Sequence, residues 1–260
     1  MIPKIIHYCW FGKSEMSALE LKCIESWKKF MPDYTLMLWN EENSPMNEAY
    51  MKTAYENKKW ANLSNYTRLF ALQKYGGWYF DTDIEVVSSP KFNKYKESCF
   101  VGIETKPHEK KCLVNNAVIA ATPNHTFIHQ CFEKIKQYDG LELANLTSPF
   151  LTTQELSKIG FKGKPGSYKD VRVFPAAIFY PLAWYQLFSK KLITKQTFCI
   201  HHYSISCLNI NNFSSEDLRI LIKKEGYYES EIERLLSGSI TWVEYIKITG
   251  RFLLNKIKPF

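Results

Sequence analysis

The run Gly76-Gly77-Trp78-Tyr79-Phe80-Asp81-Thr82-Asp83-Ile84-Glu85-Val86-Val87 constrains the fold more than any other stretch of the chain. Paired glycines stop a helix and release the backbone into a strand, because glycine alone adopts φ > 0 without steric cost. Trp78, Tyr79, Phe80, Ile84, Val86 and Val87 suit a pleated, half-buried surface. Acids inside such a run oppose burial, so a strand that carries them has a use for them. If the segment stays extended, Asp81, Asp83 and Glu85 share one parity and project the same way. Converging carboxylates suit a hard divalent cation, which takes oxygen ligands and keeps positions open for phosphates and water. Asp-X-Asp by itself is common, and alone it reads as a turn or a solvated strand end.

The flanking segments describe an α/β chain. Residues 4 to 12 form a short apolar run closed by Gly12, as a buried strand feeding a loop would. A helix is predicted from about Ser17, with Leu21, Ile24, Trp27 and Phe30 at helical spacing, ending before Pro32. Tyr34 to Trp39 is the next strand, so the three elements make a parallel βαβ unit. Residues 48 to 60 read as helical, and residues 61 to 75 as a helix with an apolar stripe through Leu63, Tyr66, Leu69, Phe70 and Leu72. On that helix Arg68 lies one turn from Ser64 and Asn65, giving either a shared polar edge or an ordinary exposed arginine.

Beyond Pro90, residues 99–103 and 116–121 read as strands, and helices follow at 125–138 and 152–159. Residues 171–180 and 198–202 are further strands, the last ending in His201 and His202. Adjacent strand residues point to opposite faces, so at most one of these histidines can face a metal. His7, on an apolar strand, reads as a core residue in preference to a ligand. No internal repeat or linker is evident, which makes a single domain the default.

Composition excludes several classes. With 45% hydrophobic and 15% aromatic residues in 260, the chain is globular. Its seven cysteines are scattered without a Cys-X-X-Cys pair, which argues against a disulfide framework or zinc knuckle and for a reducing cytoplasm. Residues 1 to 7 lack a signal-peptide pattern, and the apolar region 171–188 carries Pro175 and Pro181, so no spanning helix is expected. The net charge is +8, yet no nucleic-acid signature or dense basic stripe accompanies it. Residues 246–260 set Lys247, Arg251, Lys256 and Lys258 against Ile246, Ile248, Phe252, Leu253, Leu254 and Ile257. Such a tail either lies on an anionic membrane surface or packs its apolar side on the body.

Taken in order, Ile2 to Gly12, Ser26-Trp27, Trp39-Asn40-Glu41, Ser64 to Leu69 and Gly76 to Asp83 resemble glycosyltransferase family 32, the sugar-binding-region group with the DXD motif. That group includes bacterial capsular polysaccharide enzymes. Thr147-Ser148-Pro149, Phe179-Tyr180-Pro181 and His201 to Cys207 extend the likeness weakly. The resemblance implies a GT-A-type, Rossmann-like mixed sheet flanked by helices, with a smaller C-terminal helical region. It implies a catalytic domain over 1–245, with a nucleotide-sugar half at 1–90, an acceptor half with the metal and diphosphate loop at 91–245, and then the tail 246–260. It further implies a UDP-sugar donor, Mn²⁺ or Mg²⁺, and retaining transfer of galactose or glucose to a polysaccharide or lipid-linked glycan.

By the same resemblance, Trp10 would stack on the donor base, and the backbone around Ile6 to Tyr8, with His7 between them, would hold the nucleoside. Ser64, Asn65, Arg68, Asp81 and Thr82 would lie along the donor, and Asp83 would bind the metal. Ser206 with His201 or His202 would complete the diphosphate and metal site. Arg68, Asp81 and Asp83 would be the catalytic group. Relatives usually carry Asp where this chain has Asn65, which keeps hydrogen bonding but loses the charge that pairs with Arg68. The usual Ser-Trp reads Ser206-Cys207. The competing readings are a non-catalytic sugar-nucleotide or glycan-binding module and a metal-dependent phosphohydrolase.

Overall fold

The computed structural model describes residues 1–104, 112–144, 146–182 and 192–203. β1 (Ile5–Cys9), α1 (Ala18–Phe30) and β2 (Thr35–Trp39) form the expected parallel βαβ unit, with Ile5 opposite Thr35. Ser17 caps α1 in a reciprocal capping box with Glu20, which is why the helix begins there. The predicted helix at 48–60 is divided. α2 (Ala49–Glu56) ends at Asn57, Lys58 takes a positive φ of 54°, and α3 (Trp60–Tyr75) starts afresh.

There follow β3 (Gly77–Phe80), β4 (Ile84–Val86), β5 (Cys99–Ile103), β6 (Val114–Ala121) and α4 (Thr126–Ile135). A π-type turn at Leu146–Phe150 contains Pro149 and leads into α5 (Leu151–Lys158). β7 (Gly166–Tyr168), β8 (Val171–Phe174), the single-turn α6 (Ala176–Phe179) and β9 (Cys199–His201) complete the described elements. The strand expected over 171–180 therefore stops at Phe174. Pro175 has no N–H to continue a ladder, and it opens α6 instead.

The main sheet is mixed, in the order β2-β1-β3-β6-β5-β8-β7, with helices on both faces. β1 runs parallel to β2 and β3, and β5 parallel to β8, while β6 is antiparallel to both its neighbours. The α/β class and the mixed sheet flanked by helices are those expected. Trp78 and Phe80 point into an aromatic core with Trp27, Phe100, Phe179 and Phe198 on the α1 side. Tyr79 points to the other face, where Leu63, Tyr66, Leu69 and Leu72 of α3 pack.

The segment from Gly76 to Val87 does not stay extended, so the condition for shared parity is not met. β3 ends at Phe80, and the Asp81 N–H still donates to the Ala117 carbonyl at 2.9 Å as a last rung. The chain then turns, with the Ile84 N–H donating to the Asp81 carbonyl at 3.0 Å. β4 leaves the main sheet to pair antiparallel with β9. It is held from α1, where the Trp27 indole donates to the Ile84 carbonyl at 2.6 Å and the Ser26 hydroxyl accepts from the Val86 N–H at 2.9 Å. Shared parity thus does not unite the three acids. Asp81 and Asp83 converge through the turn, and Glu85 faces elsewhere. Among the described residues no helix is long and apolar enough to cross a membrane. Ser206, Cys207 and the tail 246–260 lie outside the described residues.

Candidate active site

Two glycines set the geometry. Gly76 and Gly77 both have positive φ, at 62° and 101°. A Cβ on Gly76 would stand 2.6 Å from Pro123, and one on Gly77 would stand 2.8 Å from the Ile5 carbonyl oxygen. The chain can therefore pass from α3 to β3 within two residues, which lays Tyr79 under the last turns of α3. The Arg68 guanidinium sits over the Tyr79 ring, 4.4 Å from its centroid.

Arg68 is not the exposed helix arginine of the alternative reading, since it is only 4% exposed. Its Nη2 donates to Asp81 Oδ1 at 2.7 Å, and its Nη1 donates to Asn65 Oδ1 at 3.1 Å and to the Ser148 hydroxyl at 2.9 Å. Tyr79 Oη also donates to Asp81 Oδ1, at 2.9 Å. Burial opposes the guanidinium charge, but Asp81 and Tyr79 outweigh it and raise the Arg68 pKa. Burial raises the Tyr79 pKa far above the ordinary phenol value, so Tyr79 stays a donor. One oxygen of Asp81 is thus engaged by two donors. The other takes no hydrogen bond among the described residues.

Asp83 and His201 form the second half of the site, with His201 Nε2 lying 3.3 Å from Asp83 Oδ1. The imidazole stacks on Tyr203 at 3.9 Å between centroids. Burial alone would discharge it, but Asp83, with Asp81 and Glu104 behind it, raises its pKa above the ordinary 6.5. His202 faces the other way. Its Nε2 lies 2.8 Å from Glu85 Oε2, which also accepts from Lys22 at 2.8 Å. Of the two histidines His201 is the one within reach of Asp83, and His202 and Glu85 lie with Lys22 in a separate polar cluster.

Ligand atoms of Asp81, Asp83 and His201 all lie within 4.8 Å of one another. An ion about 2.0–2.6 Å from each ligand needs ligand separations of roughly 3–5 Å, so these residues fit a divalent cation. The His201 Nδ1 is buried without a hydrogen-bond partner among the described residues.

Other predicted residues are placed differently. The His7 imidazole is wholly buried between the Gly76 carbonyl, 2.7 Å from Nε2, and the Trp39 indole, 3.1 Å from Nδ1. It is a core group, as its apolar strand suggested, and it is not part of the cluster. Tyr8 packs edge-on against Trp27, Trp10 donates its indole N–H to the Ser14 carbonyl at 2.6 Å, and Ser64 donates to the Trp60 carbonyl at 3.2 Å. Thr82 is half-buried in the turn between the two acids. Tyr79 and Ser148 join the site without having been singled out for it. The parity of Tyr79 with Asp81 was the available signal for the first, whereas nothing local marks Ser148 as a partner of Arg68.

Residues 17–101 match the family model described as glycosyltransferase sugar-binding region containing DXD motif. The matched stretch carries Asn65, Arg68, Asp81 and Asp83, and it supports the family that the sequence resembles. Inositol phosphoceramide mannosyltransferase 1 of Schizosaccharomyces pombe is 26% identical over 188 residues, or 68% of this chain. The chain spans 57% of that protein's length. Among solved structures, PaToxG glycosyltransferase is 22% identical with a TM-score of 0.49, covering 60% of this chain and 69% of that one. The galactosyltransferase LgtC, in complex with donor and acceptor sugar analogs, is 15% identical with a TM-score of 0.39, covering 67% of this chain and 74% of that one.

Proposed function

We propose that this chain is a metal-dependent, retaining glycosyltransferase that moves a hexosyl group from a UDP-sugar to a polysaccharide or lipid-linked glycan, as in surface-glycan synthesis. The observation that carries the reading is the convergence of Asp81, Asp83 and His201 beside the buried Arg68 network. Residues 246–260 would bring the enzyme to an anionic membrane where a lipid-linked acceptor resides.

Cleaving a sugar–diphosphate bond builds negative charge on the leaving phosphate, so the most useful help is fixed positive charge placed there. A cation held by Asp81, Asp83 and His201 would supply that Lewis acid. Arg68 has a different task, since both of its terminal nitrogens are in use. It holds Asp81 Oδ1 in place and leaves the other oxygen turned to ligand. The transition state on the sugar side resembles an oxocarbenium ion. Transfer with retention then needs no protein nucleophile. The acceptor oxygen bonds to the anomeric carbon on the face the phosphate leaves, the carbon–phosphate-oxygen bond breaks, and the acceptor's proton passes to the departing phosphate.

The test is donor turnover by purified protein across UDP-glucose, UDP-galactose and a nucleotide-activated mannose, the last suggested by the name of the yeast relative. Turnover is expected for one donor, only with Mn²⁺ or Mg²⁺, and Asp83→Ala is expected to lose it by at least about a hundredfold. Full activity in Asp83→Ala would sink the metal assignment. Nucleotide-sugar binding without turnover by any donor would favour a non-catalytic module.

A further inference from the structure

Asn62 and Asn65 lie nearly one turn apart on α3, and both are almost wholly buried. Each spends its amide on the loop after α4. Asn62 Nδ2 donates to the carbonyls of Gly140 at 2.8 Å and Glu142 at 2.9 Å. Asn65 Nδ2 donates to the Ala144 carbonyl at 2.9 Å and to the Thr147 hydroxyl at 3.1 Å. The same loop is seated closely at its start, where a Cβ on Gly140 would stand 2.4 Å from the Tyr50 carbonyl oxygen.

The chemistry of its neighbours fixes which way the Asn65 amide points. Arg68 can only donate, so it meets Oδ1, and the Ala144 carbonyl can only accept, so it meets Nδ2. A carboxylate of the same shape would set two acceptors face to face at Ala144, with no proton between them. Ser148 then closes a ring, since it accepts from the Arg68 Nη1 that Asn65 also holds.

We infer that Asn65 is a positioning residue, which clasps Ala144, Thr147 and Ser148 to Arg68 so that these residues form a wall of the site beside Asp81. It acts through its neighbours and not by touching the transferred sugar. The link to activity rests on the glycosyltransferase reading above, whereas the clasp does not.

Asn65→Asp in the full chain separates the two, because it keeps the shape, removes both N–H donors of the amide and adds one charge. Hydrogen exchange by mass spectrometry is expected to show the backbone at 140–144 losing about tenfold or more in protection, while β3 and β6 keep theirs. With the active donor, kcat is expected to fall about tenfold or more, and the donor KM to stay within about twofold. Thr147→Val keeps the Asn65 bond to Ala144 but removes its second acceptor, together with the Thr147 hydroxyl's own bond to the Ala144 carbonyl at 3.3 Å, and it is expected to loosen the same loop by a smaller factor should Asn65→Asp not fold. Unchanged loop protection in a folded variant overturns the clasp. A raised donor KM with kcat and protection intact also overturns it, by assigning Asn65 a direct contact with substrate. If the natural protein turns over no donor, the function fails, and the exchange experiment still decides the clasp.

Discussion

His7 shows how one buried side chain sets a protonation state that the fold then depends on. The Gly76 carbonyl can only accept, so His7 Nε2 carries the proton, and Nδ1 must be bare to accept from the Trp39 indole. Only the neutral ring satisfies both. Burial lowers its pKa below the ordinary 6.5, partly offset by the Gly76 hydrogen bond. With the folded pKa below the unfolded one, the contribution is full above about pH 6.5 and is lost as pH falls toward the folded value, where the unfolded chain binds the extra proton. Urea unfolding of the natural protein and His7→Gln between pH 7.5 and 5.5 checks this. The stability gap between the two is expected to narrow as pH falls, and a gap independent of pH would remove the argument. The residue scale also divides what could be read in advance. His7 was legible as a core residue, because its strand parity is local. The partners of Asn65 were not, since Ala144 and Thr147 lie about eighty residues away and nothing in their own sequence announces an amide.

Elements were legible wherever their pattern is local, as in α1 with its capping box or α3 with its apolar stripe and glycine stop. They were not legible where a distant partner decides. Ile84 and Val86 remain good strand residues, so the pattern runs on through Asp-Thr-Asp, although their ladder belongs to β9. The register of β6, on which the sequence is silent, is also set by its partners. Between Phe100 and Gly102 on β5, the facing strand runs from Ala120 to Asn115, so β6 bulges there and its backbone groups lose partners. The Tyr180 hydroxyl replaces them, accepting from the Val118 N–H at 2.8 Å and facing the Asn115 carbonyl at 3.0 Å as donor. Gly102 leaves room for the ring, since a Cβ there would stand 2.9 Å from it. Tyr180→Phe keeps the ring and strands the Val118 N–H, at a cost of about 1–3 kcal/mol. Denaturant unfolding measures that cost, and a variant as stable as the natural protein would show that the hydroxyl is not what satisfies the bulge.

At the scale of the whole described chain, the site gathers residues from α3, the β3–β4 turn, the Leu146–Phe150 turn and β9, around the point where the parallel strands β1 and β3 meet antiparallel β6. The two halves of the ligand set differ in support. Asp81 follows a central strand and is held by Arg68 and Tyr79, whereas Asp83 and His201 meet across β4 and β9, a pair of three-residue strands. A two-stranded ribbon that short is marginal by itself, even with α1 packed on it. A cation bridging Asp81, Asp83 and His201 would therefore tie the ribbon to the main sheet. An ion that binds only the folded chain stabilises it by about 2.7 kcal/mol at a hundredfold excess over Kd. For a chain of this size that corresponds to roughly 5–10 °C in thermal midpoint. Mn²⁺ is expected to raise the midpoint of the natural protein by that order, reversibly on chelation. Asp83→Asn, which keeps the shape and removes the charge, is expected to lose most of the shift. An equal shift in both would place the ion elsewhere and detach β4 and β9 from the metal.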